Sequence, residues 1–230
     1  MYHHEEEEIL SEQDKQYIRE KFRKEMKNVV PVKLYLGGDQ CHYCDVVKKL
    51  LETFKELSEG KIELETFEID EEAKEKLGVD RGPVIIIGKN EEVRYTGSPL
   101  GEEGWAFIET LIIASHGDHG IAKHVDELRS LSKKIRIETV ITPSCPYCPY
   151  AALLANRIAL ASEGKVISDT VEAYEYPEIA DKWGVTAVPT VILSIEKPYT
   201  GQVFKIGLPE EEELIHAILS LANPGERHDQ

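Results

Sequence analysis

Four cysteines are the residues of this sequence best suited to chemistry. They come as two pairs of identical spacing, Cys41-His42-Tyr43-Cys44 and Cys145-Pro146-Tyr147-Cys148. Thiols three residues apart at a helix start lie roughly one turn from each other and can close a disulfide. The first sulfur also meets unpaired N–H groups and the positive end of the helix dipole. Both stabilise a thiolate and lower the thiol pKa. The chemistry is thiol–disulfide exchange. The thiolate of Cys41 or Cys145 attacks a substrate disulfide, and Cys44 or Cys148 then resolves the mixed disulfide. Run backwards, the oxidised pair accepts electrons from a substrate dithiol. Between the cysteines, His42 adds positive charge beside Cys41 when protonated. Pro146 removes a backbone donor and stiffens the helix start. Tyr43 and Tyr147 offer apolar surface to a substrate. The two sites should therefore differ in redox poise.

The elements that must position these pairs occur twice along the chain. A β-prone stretch beginning at Val32 runs into the first pair, and one beginning at Ile135 runs into the second. A helical pattern follows each: Val46, Val47, Leu50, Leu51, Phe54 and Leu57, then residues 151–161. The alternation over residues 62–69 predicts a strand, matched by 166–173. Short helices are expected at 71–77 and 178–183. Gly78-Val79 and Gly184-Val185 then lead through three residues to Pro83 and Pro189, each followed by a β-branched strand. A further strand ends in Gly97 or Gly207, and apolar helices at 102–113 and 210–221 close the units. The order strand, helix, strand, helix, strand, strand, helix makes the first two strands parallel through a right-handed crossover and the last two antiparallel. The fold class is α/β, two units each with a mixed sheet flanked by helices, divided at 1–117 and 118–230.

Pro83 lies 42 positions after Cys41, and Pro189 lies 44 after Cys145. A proline cannot donate to a central ladder. A bend there, made by a cis bond, would expose the preceding backbone opposite the redox pair. Gly82-Pro83 and Val188-Pro189 are thus candidate substrate-binding residues, together with His42, Tyr43, Pro146 and Tyr147.

Outside the repeat, residues 9–26 form an amphipathic helical pattern with Leu10, Ile18, Phe22 and Met26 near one face and Ser11 as N-cap. Residues 115–134 read as the connector, with a helical stretch carrying Ile121, Val125, Leu128 and Leu131. His116, His119 and His124 beside Asp118 are expected in a solvated linker. His3 and His4 read as terminal residues, and the tail 223–230, with Pro224 and Gly225, as frayed. Tyr17, Phe22, Trp105, Phe107 and Trp183 are expected to pack. The acids at 210–213 suit a helix N-terminus.

The chain has 230 residues, enough for two modules of about 100 residues each with their own cores. The net charge of −16 disfavours nucleic acid and anionic membranes as partners. No apolar run approaches the roughly 20 residues of a membrane helix. The start, Met-Tyr-His-His followed by four glutamates, lacks the pattern of a secretory signal, which makes a cytoplasmic location the expectation. Charged residues make up 30% and methionine appears only twice, a bias seen in thermophiles.

These residues resemble a known family. The two-unit layout, both cysteine pairs, Pro83, Pro189 and Arg94-Tyr95-Thr96-Gly97-Ser98-Pro99 are similar to the protein disulfide oxidoreductases of hyperthermophilic archaea and bacteria, which resemble glutaredoxin and protein disulfide isomerase. The resemblance covers residues 9–221. It implies two tandem thioredoxin folds, cis prolines before the third strand of each unit, and enzymes that reduce, form or isomerise protein disulfides. No cofactor is implied beyond the redox-active disulfides Cys41–Cys44 and Cys145–Cys148. Protein thiols and disulfides are the implied partners, with a thioredoxin reductase-like electron donor and a peroxiredoxin as a further candidate. Two departures stand out. Gly82 precedes the first proline, where an apolar or hydroxyl residue is usual, and this could loosen the first groove. The buried acid six residues before the first cysteine of thioredoxin is absent, those positions holding Tyr35 and Thr139. Glu68, Glu138 and Glu172 are candidate proton acceptors instead. The second pair with Val188-Pro189 fits the pattern more closely, so the first is expected to carry the smaller or more specialised share.

Three other readings compete. A single zinc site would use both pairs, but 100 residues separate them where a zinc ribbon has about 15–20. A dedicated electron carrier to a peroxiredoxin would resemble the tandem module of alkyl hydroperoxide reductase flavoproteins, which keeps one functional pair. A binding or chaperone module would have idle cysteines.

Overall fold

A computed structural model describes residues 9–38, 41–121, 123–196 and 200–223. The expectations about His3, His4, the first glutamates and the tail from Pro224 lie outside the described residues. The first unit runs α1 (Glu12–Glu25), β1 (Val30–Leu36), α2 (Cys44–Leu57), β2 (Ile62–Glu68), α3 (Glu71–Leu77), β3 (Val84–Ile87), β4 (Val93–Thr96), a 3-10 turn (Gly101–Glu103) and α4 (Gly104–His116). A short helix α5 (Val125–Arg129) leads into β5 (Ile135–Ile141), α6 (Cys148–Ala161), β6 (Val166–Glu172), α7 (Pro177–Lys182), β7 (Thr190–Ile195), β8 (Thr200–Ile206) and α8 (Glu211–Ala222). The expected order appears twice.

Local chemistry explains the elements. Ser11 and Asp14 form a reciprocal capping box that starts α1, whose Ile18 and Phe22 are buried. Val47, Leu50, Leu51, Phe54 and Leu57 form the buried stripe of α2. Phe107 of α4 packs edge-on against Tyr95 at 5.0 Å and beside Phe54 at 6.1 Å. Small residues on α6, Ala151, Ala152, Ala155 and Ala159, are fully buried and let that helix sit close to the sheet and to α4. Each large apolar side chain buried this way contributes about 1.5–3 kcal/mol.

The two units share one sheet in the order β2-β1-β3-β4-β6-β5-β7-β8. The seam is a parallel pairing of β4 with β6, with Thr96 opposite Val171. Charge is buried at that seam. Asp169 of β6 accepts from Thr96 Oγ1 at 2.8 Å and pairs with Arg94 at 3.2 Å and Arg136 at 2.8 Å. On the other face Asn156 Nδ2 donates to Tyr95 Oη and Thr110 Oγ1, each at 3.0 Å, and Ser168 Oγ donates to Asn156 Oδ1 at 2.7 Å. The bonds of Asp169 to Arg94 and Thr96, and of Asn156 to Tyr95 and Thr110, cross the seam and are made only when both units are present.

Three expectations need correction. Helix in the connector is confined to Val125–Arg129, because Gly117 and Gly120 adopt left-handed conformations before it. Ile121 and Leu131 are nevertheless buried. Tyr17 points to solvent from α1, and Trp105 is partly exposed, packed edge-on against Tyr150 of α6 at 5.1 Å. As expected, no helix among the described residues is long and apolar enough to cross a membrane.

Candidate redox sites

Each cysteine pair stands where a parallel strand hands over to a helix. Cys44 opens α2 and Cys148 opens α6, so Cys41 and Cys145 sit just ahead of the helix N-termini. Each pair forms its own disulfide, with Cα atoms 5.5 Å apart in both. The four sulfurs thus belong to two separate sites. In the second site the Cys148 N–H donates to Cys145 Sγ at 3.2 Å, the helix-start contact that stabilises a thiolate. In the first site Gly37 N–H donates to Cys44 Sγ at 3.3 Å. Burial separates the sites further. Cys145 and Cys148 are 7% and 1% exposed, whereas Cys41 and Cys44 are half-buried.

Both prolines follow cis peptide bonds, Gly82-Pro83 and Val188-Pro189, as the resemblance implied. Val188 packs against Cys145, Cys148 and Ile141. Pro146 and Tyr147 stand exposed beside Cys145, with Tyr150 and Trp105 forming an aromatic pair nearby on the start of α6 and α4. At the first site His42, Tyr43 and Gly82 line one side of a cleft of about 500 Å³. Its other side belongs to the second unit: Tyr174, Glu175, Pro177 and Glu178. Gly82 is not loose there. A Cβ at that position would lie 2.6 Å from the Tyr35 carbonyl oxygen, so β1 presses directly on the proline loop. The second unit also grips this loop. Tyr176 Oη donates to the Arg81 carbonyl at 2.7 Å, and Arg81 Nη2 donates to the Glu175 carbonyl at 2.6 Å and to Glu178 at 3.0 Å. Arg81 lies over the Tyr176 ring, 4.5 Å from its centre.

Counting six residues back from each cysteine does not reach equivalent positions. Leu36 and Ile141 end their strands opposite Glu68 and Glu172 in the same register, yet Cys41 follows by five residues and Cys145 by four. The first loop is one residue longer. Thr139 therefore corresponds to Leu34, which faces the main core, while Tyr35 points to the opposite face against Phe67, Ala73 and Leu77. Thr139 is buried with no partner for its hydroxyl.

Of the candidate proton acceptors, Glu68 ends β2 beside Gly37, where an added Cβ would lie 2.7 Å from its Oε2. This sets it next to the amide that contacts Cys44. Glu172 is buried and accepts from the Tyr174 and Glu175 amides at 3.1 and 2.7 Å; burial pushes its carboxyl up against those hydrogen bonds. Glu138 faces the ion cluster around Asp169 and Arg136, where burial and then Asp169 push it up. A fourth acid, Glu103, has no distinguishing mark in the sequence. It is 1% exposed, and neither oxygen has a hydrogen bond of good geometry. Burial pushes its carboxyl up to about 8, with the neighbouring Tyr95 hydroxyl opposing the rise. Its 3-10 turn packs on α6, and the adjacent Glu102 amide donates to the Pro143 carbonyl at 2.9 Å, two residues before Cys145. The first unit thus packs the turn that carries this buried acid against the helix opened by Cys148. Glu102-Glu103 ahead of an apolar helix reads in the sequence as ordinary helix-start acids, which hides it.

Two cysteine pairs at helix starts, each beside a cis proline on a mixed sheet, define a thiol–disulfide protein of the thioredoxin fold. A family model described as "Thioredoxin domain" matches residues 134–219. A thioredoxin from Methanocaldococcus jannaschii is 33% identical over 85 residues, 37% of this chain and 93% of that protein. Among solved structures, a protein disulfide oxidoreductase from Aeropyrum pernix K1 is 34% identical with a TM-score of 0.82, covering 93% of this chain and 94% of that one. The alkylhydroperoxide reductase component AhpF from Enterococcus faecalis, at 20% identity and a TM-score of 0.75 over 91% of this chain and 99% of that one, shares the fold. The chain belongs to the protein disulfide oxidoreductase family and is a thiol–disulfide oxidoreductase of the thioredoxin fold.

Proposed function

We propose that this chain reduces, forms or rearranges disulfides in protein substrates at both cysteine pairs, with no cofactor beyond those pairs. The observation that carries the reading is the repeated geometry: a disulfide at a helix start next to a cis proline, once in each unit. Units 1–117 and 118–230 each supply one catalytic pair. Cys41 and Cys145 are the nucleophiles, and Cys44 and Cys148 resolve.

At the second site, the Cys145 thiolate attacks one sulfur of a substrate disulfide. The substrate S–S bond breaks, and its other sulfur leaves as a thiolate that takes up a proton. Cys148 then loses its proton and attacks Cys145, closing the enzyme disulfide and releasing the second substrate thiol. Two electrons have moved from the enzyme dithiol to the substrate. Glu103, on the turn packed against α6, is our candidate to take the Cys148 proton when ionised and to return one when the disulfide opens. A pKa near 8 suits both directions at neutral pH. Glu68 serves Cys44 in the same way at the first site. Backbone at Gly82-Pro83 and Val188-Pro189 supports the substrate chain, and the aromatic surfaces of Tyr43 and Tyr147 cover it. A thioredoxin reductase-like protein supplies electrons, in the cytoplasm. The acidic surface turns phosphate-bearing partners away.

Trapping tests the assignment of nucleophiles. Cys148→Ser should accumulate a mixed disulfide between Cys145 and a scrambled protein substrate, released by dithiothreitol, and Cys44→Ser should do so through Cys41. Peptide mapping that placed the substrate on Cys44 in Cys41→Ser or on Cys148 in Cys145→Ser, with none on Cys41 or Cys145, would overturn it.

A further inference from the structure

Away from both cysteine pairs, three side chains converge where the connector meets α8. His124 stands at the start of α5, and Glu212 and His216 lie one turn apart on α8. One ligand atom from each falls within 4.8 Å of the others. His124 Nε2 is 3.2 Å from Glu212 Oε2, and His216 Nε2 is 3.9 Å from the same oxygen. A tetrahedral zinc ion about 2.0–2.1 Å from each ligand holds them about 3.4 Å apart. The two separations bracket that value, and a small rotation of the exposed His216 ring meets it.

The surroundings favour a cation at the centre. The Nδ1 of His124 is held by Glu127 while its Nε2 faces Glu212, so both ring nitrogens meet carboxylate oxygens. A metal ion at Nε2 would leave the Nδ1–H for Glu127, the outer carboxylate that fixes the tautomer and orients the ring. Lys123 pairs with the other oxygen of Glu212 at 3.2 Å and leaves Oε2 to face the histidines. The remaining connector histidines are differently employed. His116 Nδ1 accepts from the Asp118 amide and His119 Nδ1 from the Ile121 amide.

We propose that His124, Glu212 and His216 form a binding site for a divalent transition metal of the zinc type. Imidazole and carboxylate ligands suit such borderline ions. The ion ties the connector to the last helix of the second unit and adds its binding free energy to folding. Four-coordination would leave one position to water.

Zinc titration of the fully oxidised protein tests this, since closed disulfides offer no thiolate ligand. A His3→Ala/His4→Ala background removes competition from the terminal histidines. The site predicts saturable binding of one zinc ion per chain by calorimetry. His124→Ala and His216→Ala should each weaken it by at least about tenfold, whereas His119→Ala should leave it unchanged. Zinc should raise the Tm of the His119→Ala protein but not of the His216→Ala protein. Absence of saturable binding, or binding that neither His124→Ala nor His216→Ala weakens, would overturn the assignment.

Discussion

Gly82 and Glu103 are single residues whose surroundings carry chemical consequences. Gly82 lets the first proline loop lie against the β1 backbone, where a side chain would strike the Tyr35 carbonyl. Glu103 is buried with no hydrogen bond of good geometry, and its carboxyl is raised to about 8 from an ordinary 4.5 against the opposing Tyr95 hydroxyl. Between those two pH values the folded chain keeps a proton that the unfolded chain has lost. The Glu103 contribution to stability should therefore fall as pH rises from about 4.5 towards 8, by up to about 1.4 kcal/mol per unit, and level off above 8. Glu103→Gln should lack this slope, so denaturant unfolding should show the variant gaining on wild type as pH rises through that window. The same variant should slow turnover through Cys145 and Cys148 by about 100-fold, measured with the first pair changed to serine. The cysteines and prolines were legible in the sequence because their chemistry depends on spacing alone. The burial of Glu103 was not, because it comes from packing across the seam between units. The one-residue lengthening of the first loop likewise hid that Leu34, not Tyr35, is the counterpart of Thr139.

At the scale of elements, the segment after β6 is the structural partner of the first site. Tyr176 and Glu175 hold the Arg81-Gly82-Pro83 loop, and Tyr174 with Glu178 lines the cleft opposite His42 and Tyr43. The first site is thus built by both units, which gives physical content to its departure from the more usual pattern. Tyr176→Phe removes the hydroxyl that donates to the Arg81 carbonyl and should cost about 0.5–1.5 kcal/mol. It should also lower insulin reduction through Cys41 and Cys44, assayed with the second pair changed to serine, while leaving turnover through Cys145 and Cys148 intact. Strand and helix order was readable because hydrophobic periodicity and the Gly-Val…Pro signals repeat in both halves. The grip of one unit on the other's proline loop carries no periodic signal, since it rests on side chains 93–97 positions apart.

At the scale of the whole molecule, two thioredoxin folds share an eight-stranded sheet, and a buried ion cluster lies at their seam. Asp169 answers Arg94 and Arg136 together; Arg136 also holds Glu196, so Asp169→Ala would leave the buried Arg94 guanidinium without a carboxylate and should cost about 3–5 kcal/mol in denaturant unfolding. Duplication was plain from the sequence. The fusion of the sheets was not, because a charged pair such as Arg94 and Asp169 inside β-prone segments gives no sign of its partner. That fusion leaves the redox pairs in different settings, one half-buried beside a shared cleft and one almost fully buried against Ile141 and Val188. Both pairs are expected to be catalytic and unequal. Scrambled-ribonuclease refolding, measured for wild type, for Cys41→Ser/Cys44→Ser and for Cys145→Ser/Cys148→Ser, tests it most directly. Each paired variant should keep part of the activity, with the larger loss when the second pair is removed. Full activity after removal of either pair would contradict it.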